Sequence, residues 1–324
     1  GPFLAQLLLQ KGYEVYGGIR RATRPDMGNL EFLGIDKEVK MVEVDLIEYS
    51  NLYNVISELK PDEFYNLAAQ SFVETSFQLP ILTTHTKSLG VDYILDIIKT
   101  FSSKTKFYQA STSEMFGKVR ETPQTEETPF YPRSPYGISK LYSHWLTINY
   151  RESYNLFSVA GILFNHESEL RGKHFVTRKI TQHVAKLSKG EKNILELGNL
   201  NASRDWGYAK EYVEGMYLMM QAKEPDTFVL ATGKTTSVRD FVECAFKVIG
   251  IDIRWEGQGV EEKGYDKKSG ALLVQVNPKF YRPAEVDILL GDASKAKKIL
   301  GWEPKVSMSD LAEIMVNNDI ALLG

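Results

Sequence analysis

Over the first half of the chain, strand and helix patterns alternate without a break, and every strand closes on a polar cluster. Residues 2–11 carry an amphipathic helical pattern, with Pro2 at the first helical position, where its missing N–H costs nothing, and Gly12 as the cap. Strand patterns follow at 14–19, 39–44, 63–67, 105–110 and 157–164, separated by helical stretches at 51–59, 80–100 and 135–152. Strands held apart by helices of this length cannot pair as hairpins, so the chain is expected to form a parallel sheet covered on both faces. Such sheets bind ligands beyond the carboxyl ends of their strands. Arg20, Asp45, residues 68–71, residues 111–114 and residues 165–167 all fall there.

The opening order, helix then strand with Gly1 just ahead, implies a βαβ unit whose first strand and most of whose glycine loop lie outside this chain. In such a unit the loop cradles a dinucleotide pyrophosphate at the helix N-terminus, and Gly1 would be its last glycine. The expected class is therefore α/β, a Rossmann-type doubly wound parallel sheet. In such folds the second strand ends in an acid that holds the NAD ribose, whereas arginine there suits a 2′-phosphate. Here Arg20 and Arg21 stand at that end, with Arg24 close by and no acid before Asp26. Guanidinium forks match phosphate geometry, so NADP is the expected cofactor.

Beyond about residue 165 the pattern loosens. Helical stretches at 175–189, 208–221 and 238–249 mix with strands at 194–197 and 227–231, and short strands flank a turn at Lys268-Ser-Gly270. Two more helices are expected at 294–300 and 308–323. The division read from this is 1–165 as an NADP-binding Rossmann domain, to which some later segments return, and 166–324 as a smaller C-terminal α/β substrate-binding lobe.

Two segments carry the chemistry. The first is Gln109-Ala-Ser-Thr-Ser-Glu-Met-Phe116 and the second Tyr136-Gly-Ile-Ser-Lys140. Residues four apart share a helix face, so the Lys140 ammonium can sit beneath the Tyr136 phenol and draw its pKa toward neutrality. Thr112 and Glu114 add a hydroxyl and a carboxylate, completing an acid/base set able to oxidise and reduce a sugar alcohol through a nicotinamide. Tyr-x-x-x-Lys alone is a common spacing; its place after a hydroxyl-rich strand end gives it meaning. In the later half, Asn165-His-Glu-Ser168 follows a strand. Phe175-Val-Thr-Arg-Lys179 opens a helix where a diphosphate could dock, and Arg204-Asp-Trp206 and Tyr281-Arg-Pro-Ala-Glu285 add guanidinium, aromatic and carboxylate groups. Together these suit a nucleotide-linked substrate.

Composition narrows the rest. A net charge of −3 with 25% charged residues shows no basic excess for nucleic acid or anionic lipid. No apolar run approaches the length of a membrane span. The single cysteine, Cys244, lies in a helical pattern and reads as core filler in a reducing, cytoplasmic setting. The five histidines form no metal-ligand spacing, so no metal is expected.

The chain resembles the extended short-chain dehydrogenase/reductase superfamily and, within it, the GDP-mannose 4,6-dehydratase family. Tyr65-Asn-Leu-Ala-Ala-Gln-Ser71, Phe107 to Glu114, Thr128-Pro-Phe-Tyr-Pro-Arg-Ser-Pro-Tyr136 and Asn149-Tyr-Arg-Glu-Ser153 carry that likeness. So do Gly161 to Ser168, Phe175 to Thr181, Arg204-Asp-Trp-Gly207 and Arg282-Pro-Ala-Glu285. The resemblance implies that Tyr136 deprotonates the sugar 4-hydroxyl, Thr112 hydrogen-bonds that oxygen, Lys140 holds the nicotinamide ribose, and Glu114 removes the C5 proton. It also implies a cofactor site made by Gly1, Arg20, Arg21, Asp45, Leu46, Leu67, Ala69, Gln70, Ser71, Lys140, His166 and Arg171. GDP-sugar would be held by Asn165, Val176, Arg178, Lys179, Arg204, Arg282 and Glu285, and the assembly would be a homodimer or homotetramer. The sequence departs from the family's pattern at His85-Thr-Lys-Ser-Leu-Gly90, where acids are usual before Leu-Gly, at Glu169 in place of Pro, and at Leu82 in place of Tyr. These leave open a related GDP-sugar such as a GDP-manno-heptose, a nucleotide-sugar 4-epimerase or 4-reductase, and a non-catalytic sensor on the same fold.

Overall fold

The computed structural model describes residues 1–22, 26–68, 72–280 and 289–324. In chain order the first half forms α1 (Pro2–Gln10), β1 (Tyr16–Ile19), α2 (Gly28–Phe32), β2 (Lys40–Glu43), α3 (Tyr49–Leu59) and β3 (Glu63–Asn66). Then come α4 (Val73–Gln78), α5 (Pro80–Thr84), α6 (Gly90–Phe101), β4 (Lys106–Thr112), α7 (Pro135–Tyr154), β5 (Ser158–Leu163) and β6 (Asn165–Glu167). The second half forms α8 (Val176–Ser188), β7 (Leu195–Leu197), β8 (Ser203–Arg204), β9 (Trp206–Tyr208), α9 (Ala209–Met220), β10 (Thr227–Leu230) and β11 (Thr236–Ser237). It closes with α10 (Val238–Val248), β12 (Ile253–Glu256), β13 (Lys263–Asp266), β14 (Leu272–Val276), α11 (Ser294–Leu300) and α12 (Met308–Ala321).

β3, β4, β5 and β10 make a parallel sheet in the order β10-β5-β4-β3. Its strands alternate faces as the pleat requires. Phe107 points to the side where α3 and α6 bring Leu52, Ile56, Ile94 and Ile98. Tyr108 and Ala110 point to the side where α1 and α9 bring Phe3, Leu4, Val213 and Met216. With both faces covered, every residue of β5 is buried, which is why this strand reads as an unbroken apolar run. One buried polar pair crosses the sheet: Asn66 Nδ2 donates to Gln109 Oε1 at 2.9 Å, and the two residues are in register.

The expected continuous parallel sheet is divided. β1 and β2 pair in parallel with each other but form a separate two-stranded sheet, and among the described residues no ladder joins them to β3. Side chains link the two pieces instead, Tyr13 donating to Glu63 at 3.2 Å and accepting from Gln221 at 3.3 Å.

The later half builds a mixed sheet in the order β12-β13-β14-β7, with α8, α10 and α12 packed on it around Val184, Phe241, Phe246, Val274, Leu311 and Met315. Ser237 with Asp240 and Ser307 with Asp310 form capping boxes that start α10 and α12. β10 and α9 leave this lobe and pack with the first sheet, β10 beside β5.

The single helix expected over 80–100 is interrupted. Between α5 and α6 lies a π turn, His85–Leu89, whose extra residue per turn rotates the side chains away from α-helical phase. Gly90 follows it because a Cβ there would meet the Leu46 carbonyl oxygen at 2.9 Å. Among the described residues no helix is long and apolar enough to cross a membrane.

Candidate active site

β4 ends at Thr112, whose hydroxyl caps the short turn Ser113–Met115 by accepting from the Glu114 N–H at 3.3 Å. Facing it is the first turn of α7. Ser134 caps that helix, its Oγ accepting from the Gly137 N–H at 3.0 Å, and Pro135 fills the first position. Gly137 is the residue that allows the approach: a Cβ there would lie 2.8 Å from the Glu114 carbonyl oxygen. This close contact brings Thr112 and Glu114 against Tyr136.

The buried face of α7 is made of small polar residues, Ser139, Ser143 and Thr147, which return their hydroxyls to backbone carbonyls. That narrow face lets Lys140 lie against β4, where its Nζ donates to the Ala110 carbonyl at 2.7 Å. Burial lowers the Lys140 pKa to about 8.

Tyr136 as a whole is half-buried, with its hydroxyl at the buried end. Burial pushes the phenol up to about 12; a hydrogen bond with Thr112 opposes this, the Glu114 charge adds to it, and the Arg171 charge opposes it. This corrects the expectation drawn from Tyr-x-x-x-Lys. Lys140 shares the face, but its ammonium is spent on the Ala110 carbonyl and is itself weakened by burial, so desolvation dominates the phenol.

A second lysine lies over the Tyr136 ring. Lys87, on the π turn, places its Nζ 3.6 Å from the centroid of the Tyr136 ring. The side chain is 2% exposed and its Nζ has no hydrogen-bond partner among the described residues. Burial and the charge of Lys140 lower its pKa to about 7. On a regular 80–100 helix Lys87 reads as an ordinary polar position, and the departure from the usual acids is its one sequence signal.

The remaining expected residues divide by location. Arg20 and Arg21 are exposed at the end of β1, Arg21 in a surface ion pair with Glu43 at 3.2 Å. Asp45 and Leu46 follow β2, Asp45 half-buried and accepting from the Ile47 N–H, and Leu67 follows β3 in the core. Gly1 caps α1 with open space where a Cβ would be. His166 donates from Nδ1 to the Phe164 carbonyl at 2.9 Å, stacks on Tyr212, and is lowered by burial to about 4, so it is neutral. Arg171 pairs with buried Glu167 at 3.1 Å and lies over the Phe175 ring. Asn165 is half-buried on β6 and Val176 opens α8. Lys179 lies 3.7 Å over the Phe280 ring. Arg204 is buried on β8, donating to the Ser203 carbonyl. Arg178, expected at a diphosphate, is instead turned inward and paired with Asp319 of α12 at 2.7 Å. Arg24, Ala69, Gln70, Ser71, Arg282 and Glu285 lie outside the described residues.

The sites of Arg20, Arg21 and Lys140 fit a phosphorylated dinucleotide. Two guanidiniums flank the end of β1 with no acid in the same turn, and a buried ammonium lies at the end of β4. A parallel sheet with a hydroxyl, a phenol and an ammonium gathered at its strand ends is the design of the short-chain dehydrogenases/reductases. The chain is similar to the solved RMD from Pseudomonas aeruginosa complexed with NADPH, with TM-score 0.75 and 21% identity over 88% of this chain and 91% of that one. A family model described as GDP-mannose 4,6 dehydratase matches residues 1–315. Two relatives called GDP-mannose 4,6 dehydratase, from Drosophila melanogaster and Homo sapiens, are each 50% identical over all of this chain, covering 84% and 89% of their own lengths. The chain belongs to the GDP-mannose 4,6-dehydratase family.

Proposed function

We propose that the protein converts GDP-D-mannose to GDP-4-keto-6-deoxy-D-mannose and water, with NADP recycled within each turnover. The observation that carries this reading is Glu114, a carboxylate beside Tyr136 and just past Thr112. Oxidation at C4 needs only the hydroxyl, phenol and ammonium; elimination needs one more base.

NADP, when bound, would supply the redox chemistry for hydride transfer at C4 and C6. Tyr136 accepts the 4-hydroxyl proton while Thr112 hydrogen-bonds the same oxygen. With C4 a ketone the C5 proton becomes acidic, and Glu114 removes it and passes it to the departing 6-hydroxyl, which leaves as water. The proton that Tyr136 took from the 4-hydroxyl then goes to C5. Lys140, fixed by the Ala110 carbonyl, would hold the ribose side of the cofactor, and Arg20 and Arg21 would hold its 2′-phosphate. Gly1, Asp45, Leu46, Leu67, Ala69, Gln70, Ser71, His166 and Arg171 complete that site. Asn165, Val176, Lys179, Arg204, Arg282 and Glu285 hold GDP-mannose. Arg178 serves it indirectly, by fixing α8. The Rossmann domain spans 1–165 with β10 and α9 added, and the lobe from 166 carries the nucleotide sugar. The enzyme works in the cytoplasm as a homodimer or larger homo-oligomer, joined through an apolar face of α7.

Incubation with GDP-mannose and no added NADPH should give a product lighter by one water by mass spectrometry. An unchanged mass, with GDP-manno-heptose dehydrated instead, would move the substrate within the same chemistry. An epimer of unchanged mass would replace the reaction.

A further inference from the structure

The mechanism leaves a difficulty. The ammonium expected to draw the phenol toward phenolate, Lys140, is committed to a backbone carbonyl. Lys87 is buried, unpartnered at Nζ among the described residues, and centred over the face of the Tyr136 ring. It belongs to the one π turn in the described chain, where the added residue turns it inward. Ser143 Oγ, from the helix that bears Tyr136, donates to the Lys87 carbonyl at 2.5 Å and ties this turn to α7.

We propose that Lys87 is a positioning residue for the acid/base centre: its ammonium holds the Tyr136 ring by its face and biases the phenol toward phenolate. For its catalytic meaning this rests on the proposed dehydration. A cation within about 6 Å of an aromatic centroid is attracted to the ring, more strongly when desolvated, and the attraction grows when the ring carries phenolate charge.

The groups around Lys87 set its titration. From α7, Tyr136 and Lys140 face it, and Lys140 is the charge acting on it. α5 carries no ionisable residue. On α6, Asp92 is held by the Tyr142 hydroxyl at 2.7 Å, and Asp96 pairs with Lys99 at 2.8 Å. His85, on the same turn, is exposed. Lys87 is therefore charged below about pH 7 and loses its charge above it.

The test uses full-length protein labelled with tyrosine carrying carbon-13 at Cζ, a position that reports phenol ionisation directly. The Tyr136 resonance is assigned by its loss in Tyr136→Phe. In the wild type it should show a step near pH 7 as Lys87 loses its charge, and Lys87→Met and Lys87→Gln should both abolish the step. Lys87→Arg, charged throughout, should show no step and hold the low-pH shift. A wild type without the step overturns the proposal, as does a step that survives both neutral variants. Turnover is read separately. Lys87→Met should lower kcat about tenfold or more with little change in KM, and Lys87→Arg should recover most of it. Equal losses in Met and Arg mean that the side chain serves packing alone, which also overturns the proposal. The resonance step needs no substrate, so it stands or falls independently of whether GDP-mannose is dehydrated.

Discussion

Tyr136 is held between opposing influences: burial and the Glu114 carboxylate raise its pKa, while Thr112 and Arg171 lower it. Glu114 is unfavourable for the phenolate and is retained at the same spot, which makes sense if its work comes after the phenol's. Glu114→Gln removes the base and the repulsion together while keeping the shape. The expected outcome is normal binding of GDP-mannose, normal or enhanced oxidation at C4, and loss of the dehydrated product by a factor of about 10²–10⁴. Product mass and nicotinamide absorbance check it, and unchanged formation of the 4-keto-6-deoxy sugar would remove Glu114 from its role. Thr112, Glu114, Tyr136 and Lys140 were legible because each pair sits within one short segment, where local spacing fixes geometry. Lys87 was not, because its inward aim comes from the π turn, and nothing in 80–100 announces one. The phenol's pKa was misread for a related reason: a spacing rule places the ammonium but does not say which acceptor it chooses.

Long elements followed their patterns closely. The helix expected at 135–152 is α7, Pro135–Tyr154, and that expected at 238–249 is α10, Val238–Val248. β6, β8, β9 and β11 have only two or three residues each, too short to show a period. Arg178 shows the limit inside a well-read helix. The pattern gave α8 but not the neighbour on its buried face, which is α12 contributing Asp319 and, through Thr181, a second hydrogen bond to it at 2.7 Å. An ion pair with both side chains under 10% exposed is costly to break from one side. Asp319→Ala should destabilise the fold by about 3–5 kcal/mol by leaving the Arg178 guanidinium buried and uncompensated. Replacing both partners, Arg178→Met with Asp319→Leu, should recover most of that, since it removes the stranded charge. Urea unfolding measures both. A cost under about 1 kcal/mol for Asp319→Ala, the range of an exposed pair, would mean that Arg178 is free to turn outward.

At the scale of the molecule, the alternation of strands and helices was enough to read a parallel sheet covered on both faces. The division between β1–β2 and the larger sheet was not readable, because strand order depends on contacts far apart in sequence. The same scale explains α7. Its inward face carries Ser139, Ser143 and Thr147 beside Lys140, His144 and Tyr150, while Ile138, Tyr142 and Trp145 face outward at 57%, 45% and 54% exposure. A helix with hydroxyls inside and large apolar groups outside reverses the usual arrangement. The inner face needs small residues so that Lys140 and Tyr136 can approach β4, which accounts for half the reversal. The outer face has no such need, and a contiguous apolar strip on a 20-residue helix marks a surface that another molecule covers. In the proposed homo-oligomer a second copy would be the occupant, because two such strips related by a two-fold axis are self-complementary. The wild type should then scatter light as a dimer or a multiple of one at micromolar concentration. Ile138→Arg puts a charge at the most exposed position of the strip without touching the buried face, so it should halve the mass while thermal unfolding of the monomer stays cooperative. A wild type that is monomeric at those concentrations, or an Ile138→Arg variant of undiminished mass, would show that the strip is not the joining surface.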